Sequence, residues 1–97
     1  HKEWNMEKLK TAHKKKLPVI CTEFGTCDAS GNGAYDFKSA NKWIKLMKKY
    51  NMGYVCWSLS NKPESASLLK AGCTKKSEFK NADLSKQGKW LVKTYKN

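Results

Sequence analysis

The feature that most constrains this chain is a short apolar run that ends in a single carboxylate, at residues 17–25 (LPVICTEFG). Pro18 stands near its start, where the missing N–H of proline is tolerated in a strand. The centre of the run is apolar without alternation, which is typical of a strand buried on both faces, as in a parallel sheet. Glu23 comes where this strand should end, and Gly25 begins a loop. We therefore predict a buried strand with a carboxylate at its carboxyl end.

Two interpretations of Glu23 follow from its position. A carboxylate at the end of a buried strand is costly unless it is hydrogen-bonded, paired or used in chemistry. In parallel α/β folds this end of the sheet is where active sites lie, which favours a functional carboxylate. The alternative is a glutamate that simply reaches solvent, and the local sequence does not separate the two.

The size and charge of the chain restrict its class. With 97 residues it is at most one small domain, and no stretch approaches the roughly 20 apolar residues that cross a bilayer. The formal net charge of +12 invites a nucleic-acid hypothesis, but all 20 basic residues are lysine, so the guanidinium groups that grip guanine and phosphate are missing. We interpret the charge as solvated helix faces. The alternative is a small basic α/β module that binds anionic polymers such as DNA or an anionic glycan.

The cysteines and histidines do not form a metal-binding pattern. The candidate ligands are Cys21, Cys27, Cys56, Cys73, His1 and His13. They contain no Cys-x-x-Cys pair, and the histidines are not at zinc-ligand spacing from the cysteines, so we expect no metal site. Cys21 and Cys56 fall in apolar strands, where they act as small hydrophobic residues. Cys27 and Cys73 fall in loops, and a disulfide between them would suit a secreted protein, although the sequence cannot establish it.

Helical and strand patterns alternate along the chain. Residues 2–16 are expected to form a helix that Pro18 ends, and residues 26–33 a loop rich in turn-forming residues. Ser39 is the expected N-cap of a second helix, whose buried stripe has helical spacing. That stripe consists of Ala40, Trp43, Ile44 and Met47.

A second strand, a long loop and a third helix complete the order. Residues 53–60 are rich in strand-forming side chains, and a polar loop follows to about residue 82. Asp83 or Ser85 opens the last helix, in which a glycine allows close approach to a sheet. The buried stripe of this helix is expected to be Gly88, Leu91, Val92 and Tyr95. The order helix, strand, helix, strand, helix predicts a parallel right-handed βαβ unit.

A sheet of this size is too small to stand alone. Two strands cannot bury both faces of a sheet, and even an antiparallel pair is marginal. The chain also begins with His1 instead of Met, and no apolar signal segment follows. We therefore expect a piece of a longer α/β protein, with exposed strand edges that favour self-association or insolubility.

Three collinear stretches resemble glycoside hydrolase family 5, and most of all its bacterial endoglucanases (cellulases). Residues 18–31 (PVICTEFGTCDASG) resemble the seventh strand and its loop, and residues 54–65 (YVCWSLSNKPES) the eighth strand and its loop. Residues 82–91 (ADLSKQGKWL) resemble the final barrel helix. The resemblance covers nearly the whole chain, so residues 1–97 are identified as a partial catalytic domain. It implies an α/β fold, the C-terminal segment of a (β/α)8 TIM barrel with helix 6, strand 7, helix 7, strand 8 and helix 8.

The resemblance also implies roles for individual residues. The family members are retaining β-glycosidases, and Glu23 matches their nucleophile, the carboxylate that forms the glycosyl-enzyme intermediate. Trp57 matches an aromatic platform under the sugar at the cleavage site, with a core tryptophan as the alternative. Lys62 and Glu64 match polar residues that hydrogen-bond the glucan on its non-reducing side, with a solvated ion pair as the alternative. Ala29 lies in the loop that borders that side.

The same resemblance implies an incomplete catalytic pair. Retaining hydrolysis needs a second carboxyl group about 5 Å from the nucleophile, which the family places at the end of strand 4 after an asparagine. Asp28, Asp36 and Asp83 lie in a loop or at a helix start, so we expect the chain alone to be inactive. His1 resembles a structural residue that opens helix 6.

The implied reaction is hydrolysis of cellulose or a related β-1,4-glucan by a secreted, extracellular endoglucanase. The implied partners are the β-glucan polysaccharide and the remainder of the barrel, with no nucleic acid, no membrane, no cofactor and no metal. Mannan, xylan or xyloglucan is the alternative substrate within the family.

Overall fold

Within residues 2–97, which the computed structural model describes, two short strands and three α-helices alternate as the sequence predicts. The role predicted for His1 lies outside the described residues. In chain order the elements are α1 (Asn5–Lys14), β1 (Cys21–Phe24), α2 (Phe37–Lys49), β2 (Tyr54–Cys56) and α3 (Lys86–Lys96). A short 3-10 helix, Asn81–Asp83, precedes α3.

The two strands lie side by side and parallel, which confirms the predicted βαβ unit. Cys21 pairs with Tyr54, Phe24 pairs with Cys56, and the register is irregular between these pairs. The prediction that the first strand is buried on both faces is wrong, because Ile20 is 62% exposed and Glu23 also reaches solvent. The helices cover one face of the pair, and the other face stays open among the described residues.

The core lies between the covered face of the strands and the helices. Its buried members come from β1, α2 and α3 and are Phe24, Ile44, Met47 and Leu91. The stripe predicted in α2 is confirmed as core packing, since Ala40, Ile44 and Met47 are buried and Trp43 packs against the cluster.

The helix α2 begins earlier than predicted. Its N-cap is Asp36, whose Oδ1 accepts a hydrogen bond from the Ser39 backbone N–H at 2.9 Å. The prediction of Ser39 as the cap is therefore wrong: its N–H is one of the donors that the true cap satisfies. At the other end the chain leaves the helix through Asn51, whose φ of 53° places it in the left-handed region.

The helix α1 is shorter than the predicted helix. It spans Asn5–Lys14 instead of residues 2–16, and Lys16 adopts a φ of 58° before Pro18 is reached. Trp4, which directly precedes the helix, is 64% exposed. No helix among the described residues combines the length and apolar character that crossing a bilayer requires.

The helix α3 begins at Ser85, one of the two predicted starts, and buries only part of the predicted stripe. Ser85 caps it through Oγ, which accepts from the Gly88 N–H at 3.0 Å. Gly88 and Leu91 are buried as predicted, whereas Val92 is 40% and Tyr95 53% exposed, which contradicts the rest of the stripe. The helix turns its first-turn face toward the loop after β2, so its later apolar residues point partly to solvent.

Candidate active site

Glu23 and Trp57 line one cleft at the carboxyl ends of the two strands. The cleft has a volume of about 210 Å³, and its walls come from β1, the loop after β1 and the loop after β2. Four of the predicted site residues meet here: Glu23, Ala29, Trp57 and Glu64. Lys62 is exposed and is not part of the cleft lining, so its sugar contact stays a prediction from resemblance.

Parallel pairing explains why these residues meet. The carboxyl ends of parallel strands share one edge, and the Trp57 N–H donates to the Phe24 carbonyl oxygen at 2.7 Å. The strand β2 ends at Cys56, so Trp57 follows the strand instead of lying inside it as predicted, and the peptide bond to Ser58 is cis. The Trp57 side chain is 53% exposed, which is not the burial of a core tryptophan and leaves a ring face available to a ligand.

Glu23 is accessible from the cleft. It is the only acidic residue within β1 and β2, and it is exposed. No lysine among residues 2–97 forms an ion pair with it. An exposed, unpaired carboxylate on a rigid strand is suited to act as a nucleophile or as a hydrogen-bond acceptor.

The loop after β1 carries a second carboxylate, that of Asp28. The Ser30 N–H donates to Asp28 Oδ1 at 2.9 Å, and the Ser30 hydroxyl donates to the same oxygen. These hydrogen bonds lower the pKa of Asp28 below its ordinary value. Asp28 is therefore ionised near neutral pH and is a poor proton donor for catalysis.

The two loops that form the cleft walls are hydrogen-bonded to each other. The Ser65 hydroxyl donates to the Gly33 carbonyl at 2.7 Å, and the Ala66 N–H donates to the Gly31 carbonyl at 2.8 Å. Gly33 has no space for a side chain, because a Cβ there would overlap the Asp28 carboxylate. This pairing holds the half-buried Glu64 beside the loop that contains Asp28.

A buried glutamine that the sequence analysis missed lies behind the cleft. Gln87 is 0% exposed and hydrogen-bonds with Thr26, Trp57 and Ala66. A polar residue in the first turn of a helix is normally expected in solvent. The only sequence signal is its place between the Ser85 cap and Gly88, a residue that marks close backbone approach.

None of the four cysteines forms a disulfide in this structure. All four are free, with Cys27 and Cys73 buried and the other two half-buried. Burial raises the pKa of Cys56 to about 12 and also raises that of Cys21, which agrees with their predicted role as small hydrophobic residues. Among the described residues, no group of three or more His, Cys, Asp or Glu side chains could hold a metal ion.

Comparison with known proteins gives a consistent result. A family model described as cellulase (glycosyl hydrolase family 5) matches residues 1–63. Endoglucanase A of Butyrivibrio fibrisolvens is 36% identical over 93 residues, which is 95% of this chain and 22% of that protein. An endoglucanase of Clostridium saccharobutylicum is 31% identical over 94 residues, 97% of this chain and 21% of that protein. The chain thus spans about a fifth of the length of these relatives.

Solved structures match over the whole chain. A cellulase, Cel5C_n, superposes with a TM-score of 0.90 at 31% identity. The match covers 100% of this chain and 29% of the Cel5C_n chain. The catalytic domain of Thermobifida fusca endoglucanase Cel5A, in complex with cellotetraose, superposes with a TM-score of 0.89 at 26% identity. That match covers 100% of this chain and 32% of the Thermobifida chain.

Proposed function

The chain belongs to the cellulase family, glycosyl hydrolase family 5, and from that membership we propose that it forms part of a retaining endo-β-1,4-glucanase. Its two strands and three helices have the fold of the C-terminal part of a (β/α)8 barrel. The observation that carries the proposal is the placement of one exposed carboxylate, Glu23, and one exposed indole, Trp57, in a single cleft at the strand ends. In barrel enzymes this end of the strands is where catalytic residues lie.

In the proposed reaction, Glu23 attacks the anomeric carbon of the glucan. A carboxylate oxygen forms the new bond while the glycosidic C–O bond breaks, and the leaving oxygen takes a proton from a general acid. Water then hydrolyses the Glu23 ester, so the configuration is retained. The Trp57 ring would pack against the C–H face of the sugar, and Glu64 would accept hydrogen bonds from its hydroxyl groups.

Besides Glu23, the carboxylates that line the cleft are those of Asp28 and Glu64. Asp28 is held ionised by Ser30, and Glu64 is on a loop outside the strands. We therefore propose that the acid comes from a part of the barrel beyond this chain, and that the 97-residue chain alone does not hydrolyse cellulose.

The test is covalent trapping of Glu23. The native polypeptide that contains this segment is captured with an antibody to it and treated with a cellobioside that has fluorine at C2 and a dinitrophenolate leaving group. Such a leaving group departs without protonation, so the trap reports the nucleophile independently of the acid. We expect one added 2-fluorocellobiosyl group, located on Glu23 by peptide mass mapping. The reason is that fluorine slows hydrolysis of the Glu23 ester, while the good leaving group keeps formation of that ester fast.

Matched variants and glycans make this test specific. Glu23→Gln should abolish labelling, whereas Glu78→Gln, a charge-matched change of an exposed loop residue, should label at the native rate. Labelling of another carboxylate would refute the role of Glu23. Activity on mannan, xylan or xyloglucan in place of cellulose would keep the mechanism and change the substrate. Because cellulose is insoluble and cannot enter a cell, we also propose that the protein acts outside the cell.

A further inference from the structure

A completely buried amide behind the cleft connects three separate segments. Gln87 Oε1 accepts from the Thr26 N–H at 2.8 Å and from the Thr26 hydroxyl at 2.6 Å. Gln87 Nε2 donates to the Trp57 carbonyl at 2.8 Å and to the Ala66 carbonyl at 2.6 Å. The amide has two donors and two acceptor positions, and all four are used.

These contacts reach the backbone on both sides of the cleft. Thr26 is three residues after Glu23, and Trp57 follows β2 directly. Gly25 lies between them, and a Cβ built there would make ordinary contacts of 3.4 Å with Gln87 Oε1 and 3.7 Å with the Trp57 carbonyl oxygen. Gln87 thus fixes the distance between the end of β1 and the end of β2, where Glu23 and Trp57 lie.

Trp57 depends on this anchor because its ring has little packing of its own. Trp57 is 53% exposed, so the position of its backbone has a large part in where the ring lies. That backbone is bound on both sides, by Phe24, whose carbonyl accepts from the Trp57 N–H at 2.7 Å, and by Gln87, which donates to the Trp57 carbonyl.

We propose that Gln87 is a positioning residue of the sugar site, which sets the placement of the Trp57 ring relative to the Glu23 carboxylate. The proposal rests on the proposed function, because the distance between Glu23 and Trp57 matters only if one sugar ligand contacts both residues. Gln87 does not touch the cleft surface itself, since it is 0% exposed and does not line the cleft. Its effect would pass through the backbone of Trp57 and Thr26.

The decisive variant is Gln87→Glu. Glutamate has the same length and keeps the oxygen that accepts from Thr26, but its second oxygen cannot make both donations to the Trp57 and Ala66 carbonyls: ionised it repels them, and protonated it has one O–H for the two. The control is Ser85→Ala on the same helix, which removes the α3 cap but has no bond to Trp57. Thr26→Val is a milder variant, which removes one of the four hydrogen bonds with little change of shape.

Two readouts, both made on the native polypeptide that contains this segment, separate this proposal from a general loss of structure. The first is the ¹H–¹⁵N resonances of the Trp57 backbone amide and indole, assigned with Trp57→Phe, which need no ligand. The second is the affinity for cellotetraose, which we expect to fall about tenfold in Gln87→Glu, the effect of misplacing about one hydrogen bond. Ser85→Ala should lower thermal stability while the Trp57 resonances and the affinity stay as in the unmodified protein.

Each outcome has a definite meaning. Unchanged Trp57 resonances in folded Gln87→Glu would overturn the proposal. If that variant does not fold, Thr26→Val decides: displaced Trp57 resonances support the role of Gln87, and unchanged ones refute it. Displaced resonances in a protein that never binds cellotetraose would support Gln87 as the anchor of Trp57 and refute the proposed glucan site instead.

Discussion

At the scale of residues, the two central side chains of the site were predictable and their setting was not. The sequence places Glu23 at the end of the first strand and Trp57 within the second, and the structure brings them into one cleft at the ends of the two parallel strands. Their roles as nucleophile and platform stay predictions. The hydrogen bonds that hold them in place come from Gln87, a residue 61 positions from its partner Thr26, which no local pattern indicated.

Cys56 provides a prediction at the same scale. Burial raises the pKa of its thiol from 9.0 to about 12, so at pH 8 its reactive thiolate should be on the order of a thousandfold rarer than in the unfolded chain. We expect alkylation of Cys56 by iodoacetamide at pH 8 to be correspondingly slow, measured by peptide mass mapping against the same peptide in guanidinium. Equal rates in both states would contradict the burial.

The same thiol makes stability depend on pH. Between pH 9 and 12 the folded protein keeps the Cys56 proton while the unfolded chain loses it, so the free energy of unfolding should decrease as pH rises. Chemical denaturation at several pH values measures this slope. In Cys56→Ala the part of the slope that comes from this thiol should disappear.

At the scale of elements, the helix starts were predicted only in part. Ser85, one of two predicted starts, caps α3, whereas Asp36 caps α2 in place of the predicted Ser39. The packing of α3 depends on residues that are distant in the sequence. Gly88 was expected to face a sheet, but it packs against the Leu68 carbonyl in the loop after β2. The loop that places Glu64 and Ala66 at the cleft also supplies the surface on which α3 rests.

Gly88 therefore gives a sharp test of this packing. In Gly88→Ala the new Cβ would overlap the Leu68 carbonyl oxygen, and a backbone atom cannot move away as a flexible side chain can. Alanine improves helix propensity by about 1 kcal/mol, but the overlap should exceed this and give a net loss of about 2 kcal/mol in the free energy of unfolding. Urea denaturation monitored by circular dichroism measures it.

The matched control is Gly72→Ala, because nothing lies within 4 Å of a Cβ built at Gly72. Its free energy of unfolding should stay within about 0.5 kcal/mol of the unmodified protein. If both alanine variants are equally stable, α3 does not approach the loop after β2 as closely as the structure has it.

At the scale of the whole molecule, the chain buries one face of its sheet and exposes the other. Large apolar side chains are left at the surface, among them Ile20 at 62%, Val55 at 54% and Leu59 at 67% exposure. Among the described residues β1 pairs with β2 alone, so its second edge has no partner strand. An exposed edge and apolar surface of this kind favour association with further protein.

We expect the 97-residue chain to self-associate at micromolar concentration in 0.15 M salt, where its net charge of +12 is largely screened. Leu59→Lys should shift the sedimentation-velocity profile toward monomer, because it places a charge on the exposed apolar surface. Thr74→Lys adds the same charge at an exposed polar residue and should leave association unchanged. A chain that stays monomeric throughout would show that this surface does not drive association.

The sequence by itself determined what depends on neighbours along the chain: the alternation of helices and strands, the stripe of α2, the Ser85 cap and the shared edge where Glu23 and Trp57 emerge. Only the tertiary structure decided what depends on distant contacts, namely the burial of Gln87, the partner of Gly88 and the open face of β1. Local hydrogen bonds and the spacing of apolar residues depend on residues that are close together in the sequence. Burial is not, because it is set by which segments pack together after the chain has folded.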